Sequence, residues 1–169
     1  DKPSDWTSHD VVAKVRRLAG IRKVGHAGTL DPMATGVLVL GLGRATRLLG
    51  YISGADKAYS ATVRLGQATD TDDAEGAVTT AASAHEVDRS SVEQAAAAFV
   101  GVIDQVPSSV SAIKVDGERA YAKARRGEAV ELAARSVTVS SLVVGASQRT
   151  APGTLDVEIE VVCSSGTYI

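Results

Sequence analysis

The sequence predicts an α+β fold, with helices packed on a mixed, mainly antiparallel sheet. Residues 136–144 and 154–162 alternate Val, Leu and Ile with polar residues on either side of a Pro-Gly turn, which is typical of a long antiparallel hairpin. Short amphipathic helical patterns are interspersed with these strands. The polar faces of the strands also argue against a doubly wound parallel sheet, whose strands are apolar on both faces.

The first element is predicted to be a helix that Thr7 or Ser8 can cap and that ends at Gly20. His9 is interpreted as a polar residue at the start of this helix. The apolar residues of the pattern fall on one stripe: Val11, Val12, Val15 and Leu18.

The elements that follow are predicted from apolar runs and alternation. Residues 37–40 predict a fully buried strand, and residues 44–52 a short helix with Leu48 and Leu49 facing inward. Residues 66–88 are polar and acidic and predict an exposed loop. A half-buried strand between them is predicted from the alternating residues Tyr59, Ala61, Val63 and Leu65.

Further along the chain, residues 91–99 and 119–126 predict helices. Between them, residues 110–115 predict a strand that ends in a turn at Asp116 and Gly117. The long hairpin completes this order of elements. We find no internal repeat.

The composition is that of a globular domain with a sizeable core, since 44% of the 169 residues are apolar. The one cysteine, Cys163, has no partner for an internal disulfide, and three scattered histidines give no zinc-site spacing. We therefore expect no metal and no redox chemistry. The longest apolar run is too short to span a bilayer and the first residues lack a secretory pattern, which favours a cytoplasmic protein. The chain starts without Met and stops inside a strand pattern, so we expect a fragment of a longer protein.

The charges are distributed unevenly along the chain. A net charge of -2 argues by itself against a nucleic-acid partner. Residues 1–64, however, hold ten Lys or Arg against five Asp or Glu, while residues 65–113 hold one against eight. Distinct basic and acidic surfaces are the expected result, although any single cluster is more often a solvated surface.

The segment most informative about chemistry is residues 25–36, where Gly25, Gly28 and Gly36 surround Asp31. Glycine permits left-handed backbone angles and the close approach of a ligand, so Asp31 can be held exposed on a rigid loop as a catalytic nucleophile. The alternative is that Asp31 and Pro32 form an ordinary turn. The glycines favour the first interpretation.

Two other motifs are weak, and a third is absent. Residues 41–46 lack the third glycine of a dinucleotide-binding loop, and no Gly-Lys-Ser or Gly-Lys-Thr is present for a triphosphate. Residues 70–76 resemble a calcium loop but lack its third ligand and its closing acidic residue. We interpret them as a solvated loop that is able to make a specific polar contact.

Two side chains have open interpretations. His26 is either a buried, hydrogen-bonded histidine or a residue that contacts a base. Tyr59 is either a core residue of its strand or a ring on which a heterocycle lies flat.

Residues 25–38 closely resemble the Gly-His-x-Gly-x-Leu-Asp-Pro-x-Ala-x-Gly signature of TruB-type tRNA pseudouridine-55 synthases. Similar matches occur across the chain, in residues 1–3, 56–59, 64–66, 70–73 and 166–169. The resemblance implies the pseudouridine synthase fold and an isomerase that flips out the uridine at position 55 in the tRNA T loop and converts it to pseudouridine. No cofactor is implied.

The resemblance also implies roles for individual residues. Asp31 matches the catalytic aspartate, Tyr59 the tyrosine that stacks on the target base, and His26 the histidine that helps displace and hold the nucleotide. The family's catalytic arginine would follow Ile169. The other residues expected at the substrate are Lys2, Gly28, Asp73 and Tyr168, with Lys2 and Pro3 in the start element. The cations expected on the RNA backbone are Arg16, Arg17, Arg22, Lys23, Arg44, Lys114 and Arg125.

The family pattern also describes domain organisation. Residues 1–169 match an incomplete pseudouridine synthase catalytic domain, and a PUA-type RNA-binding domain is expected beyond it. Residues 106–114 resemble the start of a mobile RNA-gripping insertion, expected at 106–135, although Ser108 replaces the second proline of that motif. The implied partner is the T-arm of tRNA, bound by a monomer without a membrane or metal.

The chemistry leaves alternatives open. A carboxylate can attack the base, attack the sugar or assist a proton shift. Two rival functions are a non-catalytic RNA-binding module and an enzyme of free nucleosides. The second is less favoured because it leaves the basic clusters without a function.

Overall fold

The computed structural model describes residues 1–107 and 132–169, together with the backbone of two short strands between them. The chain divides into two compact units, Asp1–Ala55 and Asp56–Ile169. Each unit is described by itself below.

The first unit combines short helices with a two-stranded antiparallel ladder. Lys2 and Gly36 add an isolated antiparallel bridge. In chain order the elements are helix α1 (Ser8–Ala19), strand β1 (Val24–His26), strand β2 (Leu40–Leu42), a 3-10 helix (Gly43–Arg47) and helix α2 (Leu49–Ser53).

Helix α1 confirms the predicted caps. The hydroxyl of Thr7 accepts a hydrogen bond from the Asp10 amide, and the Asp10 carboxylate accepts one from the Thr7 amide. The bond from the Thr7 side chain is the main cause that lowers the pKa of Asp10. Gly20 ends the helix with φ +65°. Leu18 was expected to face inward but is exposed, because it lies in the last turn and the helix packs on the three-residue strand β1.

The predicted buried strand at 37–40 is wrong. The strand is Leu40–Leu42, and Val37 is 86% exposed. The ladder cannot extend back to Val37 because Gly28, with φ +137°, turns the partner strand away just after β1.

The helix predicted at 44–52 is split in two at Leu48, which is exposed rather than buried. Leu49 is half-buried, which agrees with the prediction that its side chain faces inward. A side chain at Gly25 would lie 3.2 Å from Leu49 Cδ1, and one at Gly41 would lie 3.0 Å from Leu49 Cγ. These two glycines of the ladder therefore make the space in which Leu49 packs.

The second unit is built on a four-stranded sheet in the order β3-β10-β9-β6, and every pair in it is antiparallel. This sheet and the helices confirm the α+β, mainly antiparallel prediction. The elements are β3 (Lys57–Leu65), β4 (Gln67–Thr69), β5 (Val78–Ala81), α3 (Arg89–Ala97), β6 (Gly101–Gln105), β7 (Lys114–Val115), β8 (Glu118–Arg119), β9 (Arg135–Gln148) and β10 (Leu155–Cys163).

The core of this unit follows the alternation of the long hairpin β9–β10, as predicted. Every second residue of β10 from Leu155 to Cys163 faces the apolar side, and helix α3 packs against β9. One cluster buries Ala84, Leu155 and Val157. The other buries Val139, Val161 and Cys163.

Two other predictions for this unit need correction. Residues 66–88 were expected to be a loop, but they contain the hairpin β4–β5, whose three- and four-residue strands are too short to show a clear period. The helix expected at 91–99 is Arg89–Ala97, two residues earlier, because Asp88 caps it.

The predictions for residues 110–126 lie largely outside the described residues. Within that range the backbone forms the strands Lys114–Val115 and Glu118–Arg119, which pair with each other. Arg119 therefore lies in a strand and does not begin a helix. Among the described residues, no helix has the length and apolar character that crossing a membrane requires.

Candidate functional site

Asp31 lies in the loop between β1 and β2 and is exposed. The Asp31 carbonyl accepts a hydrogen bond of 3.1 Å from the Ala34 amide, so a turn with Pro32 in its second position is present. Gly28 (φ +137°) and Gly36 (φ +111°) both adopt backbone angles that favour glycine. The turn and the exposed carboxyl residue therefore coexist, and the two interpretations of the sequence do not exclude each other.

Lys2 lies beneath this loop and not at its surface. It is 1% exposed, and its Nζ donates to the carbonyls of Pro3 (2.8 Å), Trp6 (2.7 Å) and Pro32 (2.9 Å). An ammonium group has three protons, so these three bonds use all of them. Lys2 was predicted at the substrate. The structure places its charge on the backbone next to Asp31 instead, where direct contact with RNA is blocked by burial.

Other residues near the N-terminus also form hydrogen bonds with the loop that carries Asp31. The Ser8 hydroxyl, 1% exposed, accepts from the Leu30 amide (3.0 Å) and donates to the Leu30 carbonyl (3.2 Å). The Asp5 amide donates to the Pro32 carbonyl at 2.9 Å. The residues on both sides of Asp31 are thus bonded to residues 2–8. The sequence suggested only a helix cap for Ser8.

His26 lies on β1 and is half-buried. Its Nδ1 is hydrogen-bonded to the Gly28 carbonyl. The ring of His9 stands edge-on to that of His26, with centroids 5.3 Å apart and an interplanar angle of 76°. The sequence gives no sign that His9 neighbours His26, because two residues 17 positions apart form no pattern.

Tyr59 lies on β3 in the second unit, half-buried against the cluster of Val139, Val161 and Cys163. The interpretation as a core residue is confirmed. The stacking role remains a prediction.

Asp73 belongs to a folded acidic turn. Its carboxylate accepts from the Thr71 hydroxyl (2.6 Å) and the Glu75 amide (2.9 Å), while the Asp70 carboxylate accepts from the Ala77 amide (2.8 Å). The acidic side chains therefore shape the β4–β5 connection. A substrate contact of Asp73 stays a prediction.

Tyr168 is held by Gln105, a residue to which no sequence motif points. The Tyr168 amide donates to Gln105 Oε1 (2.9 Å), and Gln105 Nε2 donates to the Tyr168 carbonyl (2.7 Å). The side-chain amide of Gln105, at the end of β6, thus makes the same pair of hydrogen bonds that a backbone amide group makes between two strands.

Arg64, in one of the matched motifs, is paired within the sheet. Its guanidinium donates two bonds to Asp156, at 2.7 and 2.6 Å. The bond from Arg64 is the main cause that holds the pKa of Asp156 below its ordinary value, and it raises the pKa of Arg64.

The basic residues predicted on the RNA backbone differ in their contacts. Arg16 donates to the Val24 carbonyl at 2.9 Å and so connects α1 to β1. The side chain of Lys114 and all of Arg125 lie outside the described residues. The exposed members in the first unit are Arg16, Arg17, Arg22, Lys23 and Arg44. Within the described ranges, no group of three or more His, Cys, Asp or Glu side chains is placed to hold a metal ion.

Comparison with known proteins identifies the family. The model of the N-terminal domain of TruB family pseudouridylate synthases matches residues 16–169. The chain belongs to the TruB family. It is 63% identical over 170 residues to tRNA pseudouridine synthase B of Arthrobacter sp. (strain FB24), and 59% identical over 172 residues to the protein of the same name from Thermobifida fusca (strain YX).

These matches cover 100% of this chain but only 56% and 59% of the two relatives, so the chain spans a little over half of their length. Solved structures agree on the fold. A Cbf5-Nop10-Gar1 complex matches with a TM-score of 0.65 and 28% identity, covering 100% of this chain and 39% of that one. An H/ACA RNP bound to a substrate RNA containing 2'-deoxyuridine matches with a TM-score of 0.63 and 26% identity, covering 99% and 37%.

Proposed function

We propose that the protein isomerises the uridine at position 55 in the T loop of tRNA to pseudouridine. The observation that carries this proposal is the match of the whole chain to proteins named tRNA pseudouridine synthase B, at 63% and 59% identity. The structure supports it with an exposed carboxyl residue on a loop that is bonded on both sides.

Asp31 supplies the nucleophile of this reaction. The N1–C1′ glycosidic bond of the uridine breaks, the uracil turns, and a C5–C1′ bond forms in its place. The proton on C5 is lost, and N1 gains one, so atoms balance without an external reactant. A nucleophile must be held in position, and this role of Asp31 is supported by a turn flanked by Gly28 and Gly36 that has hydrogen bonds at Leu30 and Pro32.

The target base reaches this carboxylate by flipping out of the T loop. Tyr59, which packs against the cluster of Val139, Val161 and Cys163, stacks on the flipped base. His26 displaces and holds the nucleotide, with its ring oriented by the bond to Gly28. Asp73 and Tyr168 complete the contacts to the nucleotide.

The T-arm backbone binds along the exposed cations of the first unit. These are Arg16 and Arg17 on helix α1, together with Arg22, Lys23 and Arg44. Lys114 and Arg125 grip the RNA from the insertion at 106–135. A PUA-type domain beyond the catalytic domain adds further RNA contacts. The protein acts as a monomer in the cytoplasm.

The test uses the protein expressed from its complete reading frame and a tRNA transcript labelled with tritium at C5 of its uridines. Isomerisation releases the label from one uridine per tRNA, and carbodiimide-dependent primer extension locates it at position 55. A transcript with cytidine at position 55 is the matched control and should release none. Tight tRNA binding without release would overturn the proposal in favour of an RNA-binding module, and turnover of free uridine would overturn it in favour of a nucleoside enzyme.

A further inference from the structure

We propose that Ser8 is a positioning residue for the Asp31 carboxylate. The inference depends on the proposed function, in which Asp31 carries out the chemistry, and it adds a residue that acts on Asp31 through the backbone. Ser8 is not expected to touch the RNA, because it is 1% exposed.

The geometry at Ser8 is specific to the residue next to the nucleophile. One hydroxyl makes two bonds to Leu30: it accepts from the amide at 3.0 Å and donates to the carbonyl at 3.2 Å. A serine hydroxyl has one proton and accepting lone pairs, so a single side chain satisfies both backbone groups of Leu30. The Leu30 carbonyl belongs to the peptide unit between Leu30 and Asp31, so the orientation of this unit sets the backbone position of Asp31.

Ser8 is itself fixed by helix α1. It is the first residue of that helix, directly after Thr7, whose reciprocal bonds with Asp10 cap the helix. Leu30 is therefore connected to a rigid element and not to another loop. This is the kind of support that holds a catalytic group within a fraction of an ångström.

The bonds on the other side of Asp31 complete the arrangement. The Pro32 carbonyl accepts from Lys2 Nζ (2.9 Å) and from the Asp5 amide (2.9 Å). Asp31 is the one residue between the two bonded positions, so little backbone freedom remains to it. Removal of the Ser8 hydroxyl leaves the bond from Lys2 to the Pro32 carbonyl intact and frees only Leu30, the residue before Asp31.

The expected consequence is kinetic. Without the hydroxyl, the half-buried amide and carbonyl of Leu30 lose this partner, and the two peptide units that flank Leu30 become freer to rotate. A misplacement of about 1 Å in a reacting group can reduce the rate by ~100-fold. Binding of tRNA depends on exposed cations elsewhere, so KM for tRNA should change little.

The experiment compares Ser8→Ala with Thr154→Val in the protein expressed from its complete reading frame. Thr154 is also a buried hydroxyl residue and donates to the Ala151 carbonyl at 3.1 Å, but it lies in the turn before β10. Valine keeps its shape. Ser8→Ala removes two part-buried hydrogen bonds, whereas Thr154→Val removes one, to a carbonyl that also accepts from the Thr154 amide, so Ser8→Ala should lower the melting temperature more. Rates are measured by tritium release at saturating tRNA, and amide hydrogen exchange is followed in the peptide 27–33.

We expect Ser8→Ala to lower kcat by ~10- to 100-fold with KM for tRNA within about twofold, and to accelerate exchange in 27–33. Thr154→Val should leave kcat and that exchange unchanged. A Ser8→Ala enzyme with wild-type kcat, or one whose loss lies in KM, overturns the positioning role alone. A wild-type protein that releases no tritium overturns the proposed function and this inference with it, so the two failures are distinguishable.

Discussion

The Asp31 loop and the four-stranded sheet are held together by different means. In the loop, the buried groups that touch the backbone are polar: Lys2 donates to three carbonyls and Ser8 bonds both groups of Leu30. In the sheet, the two clusters are apolar and follow the register of β10 with its neighbours. A surface that must present one carboxylate is fixed by directional bonds, whereas a scaffold is fixed by buried area.

The two means respond differently to a single substitution. A hydrogen bond to a charged group contributes about 1.5–3 kcal/mol, and its loss leaves a buried partner unsatisfied. Apolar burial contributes about 25 cal/mol per Å² and is shared over many side chains. We therefore expect a substitution in the loop to impair catalysis, and one in the sheet to lower stability while leaving catalysis intact.

Lys2→Met should have the largest effect. It removes the donor shared by the carbonyls of Pro3, Trp6 and Pro32, of which the Pro32 carbonyl keeps its bond from the Asp5 amide. We expect the free energy of unfolding to fall by about 3 kcal/mol or more and kcat to fall ~100-fold. Urea unfolding and tritium release from labelled tRNA measure the two effects.

The matched control is Lys14→Met, which makes the same change at an exposed position of α1. Its unfolding free energy should stay within about 0.5 kcal/mol of wild type. Equal losses in the two variants would show that charge, and not the bonds to the carbonyls, accounts for the effect.

Val157→Ala should have a smaller effect, and on stability alone. Val157 is 1% exposed in the cluster with Ala84 and Leu155, so removal of two methyl groups leaves a cavity. The expected loss is about 2 kcal/mol in the free energy of unfolding. At a temperature where the variant is folded, kcat should remain within about twofold of wild type.

Val102→Ala serves as the comparison, because Val102 is exposed on the edge strand β6 and should change stability by less than about 0.5 kcal/mol. If Val157→Ala lowers kcat as strongly as Lys2→Met does, the distinction between loop and scaffold fails.

Asp88→Asn should have the smallest effect, and only in acid. Hydrogen bonding from Ser91 at the start of α3, first from its side chain and then from its backbone amide, lowers the pKa of the Asp88 carboxylate below the ordinary value of 3.8. The folded state thus binds this proton less tightly than the unfolded state. The stabilisation is complete above the ordinary pKa and is lost as the pH falls through the lowered one.

Asparagine caps a helix about as well as aspartate but does not titrate. The variant should match wild type near neutral pH and lose less stability between about pH 5 and pH 2, as measured by urea midpoints. Among the residues that the structure describes, the other carboxylates with lowered pKa are Asp10 and Asp156, which act equally in both proteins. An identical acid response in the two proteins would contradict this assignment.

The sequence predicted the parts of the fold that depend on local pattern. The structure confirms the predicted caps of α1 and the predicted alternation of the β9–β10 hairpin, because each depends on a repeated or short-range interaction. The hairpin β4–β5 was missed because strands of three or four residues do not show a period. The buried strand expected at 37–40 failed because an apolar run does not reveal where its partner turns away.

The candidate site was only partly predictable for a related reason. The glycines around Asp31 marked the loop correctly. The burial of Lys2 was not predictable, since lysine is rarely buried and backbone carbonyls gathered from positions 3, 6 and 32 leave no trace in residue types. The same holds for Ser8 with Leu30, which are 22 positions apart. Bonds from side chains to distant backbone are visible only in the fold.

The most direct measurement is a single-turnover assay of Asp31→Asn in the protein expressed from its complete reading frame. The amide keeps the shape of the side chain but removes the negative charge that nucleophilic attack requires. We predict that pseudouridine formation at position 55 falls by ~10³-fold or more with tRNA binding retained, while Asp88→Asn reacts at the wild-type rate. Product that accumulates at the wild-type rate in Asp31→Asn would contradict the assignment of Asp31 as the nucleophile.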